Sequence, residues 1–216
     1  MNRRTMIGTA AAAAATLIAA RPAFAAPVNV VVFGDSYSQV PRANFPNWVT
    51  QLQSAGVVGA SRNFAKSGAT AAKVGTNHFA RQLRLWREAG RPIGNRVIIF
   101  LGTNDILNTD SFDASYTAYR RGISELKTAG ARLLLVEPLD LGKVPDYAGD
   151  ADSAAVTAKT VTWNNFVRSR GLTVVRLFDT FRTLLPNSSL FHDGLHPNRS
   201  GQGIIADAVR AKLAEV

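Results

Sequence analysis

Five short apolar runs, most of them rich in β-branched residues, punctuate the chain at 28–33, 61–65, 96–101, 131–136 and 172–177. In the stronger runs apolar residues follow one another without polar alternation, the pattern of strands buried on both faces. Stretches of helical period separate them, near 45–54, 77–89, 111–129 and 153–169. A last one covers 200–215, with Ile204, Ile205, Val209 and Leu213 on one face. Strands buried on both faces need helices on both faces, so the alternation predicts an α/β/α sandwich on a parallel sheet. The longest irregular piece, 138–152, carries two prolines, two glycines and four acids and is expected to form a loop over one edge of the site. In such a sheet ligands gather outside the carboxyl ends of the strands.

Residues 1–25 fall outside this alternation. They open on Asn2-Arg3-Arg4, run through an alanine-rich apolar stretch and end on Ala23-Phe24-Ala25, which is the form of an export signal. The stretch is shorter and more alanine-rich than the ~20 strongly apolar residues a spanning helix needs. The pair Arg3-Arg4 resembles a twin-arginine signal and predicts export, already folded, to the periplasm or the outside of the cell. Residues 26–216 are expected to form one domain, since 46% of the chain is hydrophobic and that length can bury a core.

Charge and cysteine usage narrow the function. The formal charge is +10, and removal of Arg3, Arg4 and Arg21 leaves about +7. The basic residues are scattered, which predicts a solvated surface with some attraction to anionic lipid headgroups and no nucleic-acid partner. There is no cysteine, so thiolate catalysis and thiolate metal sites are excluded.

Four polar clusters follow expected strands or precede the last helix. They are Gly34-Asp35-Ser36-Tyr37-Ser38, Asn63-Phe64-Ala65-Lys66-Ser67-Gly68-Ala69, Gly102-Thr103-Asn104-Asp105 and Asp193-Gly194-Leu195-His196-Pro197-Asn198. Gly-Asp-Ser alone reads as a turn; the four together suit acyl transfer. A serine hydroxyl needs a base to take its proton, and the base needs a third group to orient it. Ser36 is the candidate nucleophile and His196 the base, with Asp193 three residues upstream to hold the imidazole in the required tautomer. The Ser36 and Gly68 N–H groups and the Asn104 amide are candidate donors to an oxyanion.

These clusters, in this order over residues 33–198, resemble the four blocks of the SGNH hydrolases, also called GDSL esterases and lipases. The resemblance implies a flavodoxin-like three-layer sandwich on a five-stranded parallel sheet, a Ser36–His196–Asp193 triad and an oxyanion hole from Ser36, Gly68 and Asn104. It also implies a carboxylic-ester hydrolase working through an acyl-serine, with no metal or organic cofactor. The phrases NFAKSGATA and LDLGKVPDY further resemble the branch of bacterial phospholipase, lecithinase and plant-type lipases. Short to medium acyl esters or (lyso)phospholipids are the expected substrates, with O-acetylated carbohydrate as the alternative. A monomer with at most transient membrane-surface contact is expected.

Two other classes compete. A metal-dependent phosphoesterase would use Asp35, Asn104, Asp105, His192 and His196 as ligands, but the chain lacks the Asp-x-His pairing with which such sites begin. A binding module would leave Ser36 idle and has no use for oxyanion donors. Among the remaining candidates, Asp35 is expected to bond backbone donors in its own turn, and Asp105 to cap or brace the segment after the third strand. Ser38 and Ser67 read as turn residues, His78 as a surface residue, His192 as pocket-lining or solvated, and Trp48, Trp86 and Trp163 as core or rim packing. Tyr37 suits substrate or core equally.

Overall fold

The computed structural model describes residues 26–39, 46–73 and 75–216. The expected export segment and the first residue of the expected first helix lie outside them. The apolar runs form one five-stranded, all-parallel sheet of β1 (Val28–Gly34), β2 (Val58–Asn63), β3 (Arg96–Phe100), β4 (Leu133–Val136) and β5 (Thr173–Val175), in the order β2-β1-β3-β4-β5. From Val30 in β1 and from Val97 in β3 every residue to the strand's end is buried, as is all of β4. This is why these runs carry no polar alternation.

Among the described residues seven α-helices accompany the sheet: α1 (Trp48–Ser54), α2 (Phe79–Glu88), α3 (Thr103–Asn108), α4 (Asp113–Thr128), α5 (Ser153–Arg168), α6 (Leu177–Phe181) and α7 (Arg199–Leu213). Right-handed crossovers put α1 and α7 on one face, packed on each other, and α2 and α4 on the opposite face. Stacked rings of Tyr116 and Phe166, 3.9 Å apart, join α4 to α5. Trp48, Trp86 and Trp163 are all fully buried, and α7 turns Ile205, Val209 and Leu213 inward. No helix among the described residues is long and apolar enough to cross a membrane.

The chain departs from the expected elements in three places. β2 lies three residues upstream of 61–65, because it is an edge strand of alternating exposure whose apolar signal is weak. The apolar Phe64 that drew the expectation downstream sits beyond the strand, stacked on Phe33 at 5.5 Å. Two short helices, α3 and α6, follow β3 and β5 closely, and α6 begins at Leu177, inside the run expected as strand. Segment 138–152 is a packed arm, with Leu139, Leu141 and Val144 fully buried, that reaches the site through Asp146 N–H donating to the Gly194 carbonyl at 3.2 Å.

Strand order positions the site. Crossovers leave β1 towards β2 on one side and return to β3 on the other, which opens a crevice at the carboxyl ends of β1 and β3. Ser36 lies two residues past β1 and Asn104 lies in the first turn of α3 after β3.

Gly102, at the entry to α3, has φ +133, and a Cβ there would penetrate the Trp163 indole, whose Nε1–H donates to the Leu101 carbonyl at 3.2 Å. Gly56 also has positive φ, +68, but open space around it. Gly56→Ala is expected to cost about 1–2 kcal/mol of backbone strain, and Gly102→Ala a further ~1–3 kcal/mol of overpacking. Urea denaturation of both variants measures the difference, and equal losses would show that the indole contact carries nothing.

Candidate active site

Beyond Gly34 the chain reverses within a few residues. Ser38 and Gln39 N–H donate to the Asp35 carbonyl at 3.1 and 3.0 Å, and Tyr37 N–H donates to Asp35 Oδ1 at 3.0 Å. Ser38 is buried and locked, its carbonyl receiving the Asn47 and Asn63 amides at 3.1 and 2.6 Å and its Oγ the Trp48 Nε1–H at 3.3 Å. Ser67 N–H donates to Gln39 Oε1. Both serines are thus turn residues, and Ser36 alone in this turn faces a base, with its Oγ 2.9 Å from His196 Nε2.

The histidine comes from a tight loop. Phe191 and Pro197 form an antiparallel bridge, and Gly194 between them takes φ +80 with the Asp146 carboxylate where a Cβ would stand. Asp193 Oδ1 receives His196 N–H at 2.7 Å and Leu195 N–H at 3.3 Å, while Oδ2 lies 2.8 Å from His196 Nδ1. Partial burial disfavours the charged carboxyl, but the His196 N–H, the His196 ring and the Leu195 N–H outweigh it and hold Asp193 below the usual carboxylate range. An ionised carboxylate only accepts, so His196 Nδ1 carries the proton and Nε2 accepts from the Ser36 hydroxyl.

Tyr37 settles on the core side. It is fully buried, its hydroxyl donates to the Leu195 carbonyl at 2.9 Å, and its ring meets His196 edge-on at 6.0 Å. The residue after Ser36 therefore props the loop that carries His196. Asn198 secures the other side, its amide donating to the Ser189 carbonyl at 2.7 Å while its oxygen N-caps α7. His78, expected on the surface, is half-buried and N-caps α2 by accepting from Arg81 N–H.

The second and third clusters meet at one point. Ala69 N–H donates to the Lys66 carbonyl at 3.1 Å, closing a turn with Gly68 at φ +71. Asn104 Nδ2 donates to the Ala69 carbonyl at 3.0 Å, which ties α3 to that turn and leaves one amide hydrogen. Among the described residues, neither Ser36 N–H nor Gly68 N–H has a backbone acceptor. Asp105 braces and does not cap, taking Ala71 N–H at 2.9 Å and the Ser115 hydroxyl.

Two buried glutamines were not anticipated. Gln82 of α2 receives Gly34 N–H at 3.0 Å and donates to the Gly34 carbonyl at 2.8 Å, and Gln202 of α7 receives Trp48 N–H at 3.0 Å. A glutamine at an ordinary helical position gives no sequence signal for either role. As for metal ligands, His192, Asp193 and His196 are the group of ligand atoms that gathers among the described residues. Asp35 and Asp105 are buried among backbone donors, so the five-residue phosphoesterase set is not assembled.

The profile of the GDSL-like Lipase/Acylhydrolase family matches residues 32–204. Among solved structures, the chain is similar to the acetyl xylan esterase AlAXEase, at 17% identity over 86% of this chain and 100% of that one, with a TM-score of 0.62. It is also similar to Axe2, an acetylxylan esterase from Geobacillus stearothermophilus, at 18% identity over 87% and 94%, TM-score 0.61. The psychrotrophic esterase EstA from Pseudoalteromonas sp. shares 19% identity over 87% and 97%, TM-score 0.63. At these identities the likeness is one of fold. No curated protein sequence matches the chain.

Asp35 gives a pH test. Burial, opposed by the Tyr37 N–H and the Thr103 hydroxyl and reinforced by the charge of Asp105, pushes its carboxyl from 3.8 to about 7. The folded state thus holds the proton more tightly than the unfolded chain. That contribution to stability is complete below the unfolded value and is lost as pH rises through about 7. Asp35→Asn keeps an acceptor for Tyr37 N–H and cannot ionise. Its stability relative to the parent is expected to rise between about pH 4 and pH 7 and to level off above that, measured as melting temperatures across that range. A constant difference would place the titration of Asp35 elsewhere.

Proposed function

Because the chain belongs to the GDSL-like lipase/acylhydrolase family and is a carboxylic-ester hydrolase, we propose that it works through an acyl-Ser36 intermediate, with His196 carrying the proton and Asp193 orienting His196. The observation that carries this reading is the unbroken run from Ser36 Oγ to His196 Nε2 at 2.9 Å and from His196 Nδ1 to Asp193 Oδ2 at 2.8 Å. As Ser36 Oγ adds to the ester carbonyl carbon, its proton passes to Nε2. The charge that develops on the carbonyl oxygen goes to Ser36 N–H, Gly68 N–H and the remaining Asn104 amide hydrogen. Collapse breaks the bond to the alcohol, which leaves with the proton from Nε2, and the acyl group stays on Oγ. Water then enters, gives a proton to Nε2 and releases the carboxylic acid, returning that proton to Ser36.

Short to medium acyl esters are the proposed substrates. Gly68 and Asp193 are exposed, and Ser36, Asn104 and His196 are half-buried, so the reacting groups lie on an accessible rim that favours a small acyl group. Acetyl esters of carbohydrate belong to that class, and two of the fold neighbours are named acetyl xylan esterases. Residues 1–25, with Arg3-Arg4 ahead of an apolar stretch, support export to the periplasm or beyond. The excess of basic residues supports passing contact with anionic membrane surfaces.

Hydrolysis of p-nitrophenyl esters from acetate to palmitate tests the reading. The parent is expected to prefer the short end and to be indifferent to a chelator, and Ser36→Ala to be inactive. Asn104→Ala is expected to lower kcat about 10²- to 10³-fold with little change in KM. Activity surviving in Ser36→Ala would overturn the mechanism, and a preference for palmitate would overturn the substrate class.

A further inference from the structure

The carboxylate of Asp193 does not serve His196 alone. Its Oδ2 lies 2.8 Å from His196 Nδ1 and 3.2 Å from His192 Nε2. His192 is held by the same loop, its backbone N–H donating to the His196 carbonyl at 3.0 Å and its Nδ1 lying 3.1 Å from that oxygen. The His192 ring therefore faces an acceptor oxygen at each nitrogen. A neutral imidazole has one ring proton and satisfies only one of them. Whichever nitrogen carries that proton, the other turns a lone pair towards an acceptor; where it is Nε2, an ion between Nε2 and Asp193 Oδ2 would satisfy both. A histidine oriented through one nitrogen by a carbonyl and ligating through the other is the usual arrangement at metal centres.

We propose that His192 Nε2, Asp193 Oδ2 and His196 Nδ1 form a site for one divalent ion of the zinc or copper class, and that filling it switches hydrolysis off. Two imidazoles and a carboxylate suit these ions and not magnesium or calcium. With metal–ligand bonds of about 2.1 Å, separations of 2.8 and 3.2 Å correspond to angles of roughly 85° and 100° at the ion, the first slightly under the octahedral value and the second between octahedral and tetrahedral values. All three side chains are 32–44% exposed, so remaining positions open to water and the ion has a way in. Switching off follows from which atoms are taken. An ion on His196 Nδ1 displaces the proton that Asp193 holds there, engages the carboxylate and withdraws electron density from the ring, so Nε2 becomes a poor base for Ser36. The inhibitory half rests on the triad proposed above; the binding half does not.

Calorimetric titration of the untagged protein with Zn²⁺ alone, with Mg²⁺ as control, reads binding without turnover. The parent and Ser36→Ala are expected to bind one Zn²⁺ per chain and no Mg²⁺, and His192→Ala to bind Zn²⁺ about tenfold more weakly or worse. Thermal melts without metal verify that each variant is folded. In parallel, Zn²⁺ is titrated into p-nitrophenyl acetate hydrolysis, with each protein referred to its own metal-free rate. Half-inhibition of the parent is expected at its dissociation constant, reversed by a chelator, and displaced upward by about tenfold or more in His192→Ala. Failure of the parent to bind Zn²⁺, or equal binding by His192→Ala, overturns the site whatever hydrolysis does. One ion bound with hydrolysis undisturbed overturns the switch and, with it, the place of His196 in the triad.

Discussion

Everything at the catalytic rim depends on how β1 ends. The strand stops in the interior of a sheet covered on both faces, where its last peptide groups have no water and must find partners in the protein. Gly34 meets this with a side chain from another layer: Gln82 takes its N–H and gives to its carbonyl, and Lys66 N–H adds a second donor to that carbonyl. The absence of a Cβ matters equally, since one would stand 2.8 Å from Ser38 Cβ and 2.9 Å from the Phe100 carbonyl. With the strand end closed, the turn can bring Ser36 back to the surface. The bond from Lys66 also fixes the turn that presents Gly68, and Asn104 is tied to that turn through the Ala69 carbonyl. The proposed nucleophile and the three proposed oxyanion donors are thus parts of one hydrogen-bonded frame, held largely by backbone geometry.

Two carboxylates at this site, Asp35 and Asp193, are treated oppositely. Asp35 is adjacent to Ser36 in sequence but sealed beneath it, and desolvation drives its carboxyl towards the neutral form. Asp193 is far away in sequence and partly exposed, yet several donors from its own loop keep it ionised. A triad acid must stay charged to hold an imidazolium, so environment excludes Asp35 from that role and suits Asp193 to it.

Legibility in the sequence followed the range of the interactions. The central strands β1, β3 and β4 were readable because burial on both faces leaves only apolar residues to choose from. β2 was misplaced because an edge strand does not impose that restriction, and α3 and α6 escaped because five or six residues carry too little period. At the site, contacts within a few residues were readable: Asp193 reaches His196 across one glycine-containing turn, and Asp35 takes the Tyr37 N–H within its own turn. Gln82 and Tyr37 were not, because their partners lie 48 and 158 residues away and nothing local distinguishes a bracing glutamine from a solvated one. Tyr37 illustrates the limit, since strand alternation is lost in the turn and only the fold decides which way the ring points.

Spacing favoured His196 over His192, and the geometry of the two rings bears on that choice. Both rings approach the same Asp193 oxygen, so proximity to the acid does not separate them. Their second nitrogens do: His196 Nε2 faces Ser36 Oγ, whereas His192 Nδ1 is turned to a backbone carbonyl. The bridge from Phe191 to Pro197 produces both outcomes, because it aligns His192 with His196 across the hairpin and points one ring towards the nucleophile and the other along the loop. The acid and base of the proposed triad come from one short hairpin, a pairing that needs little loop-closure entropy to assemble. The same compactness brings a third ligand-capable atom to the carboxylate, so the hairpin proposed to organise proton transfer is also the one proposed to hold a metal ion.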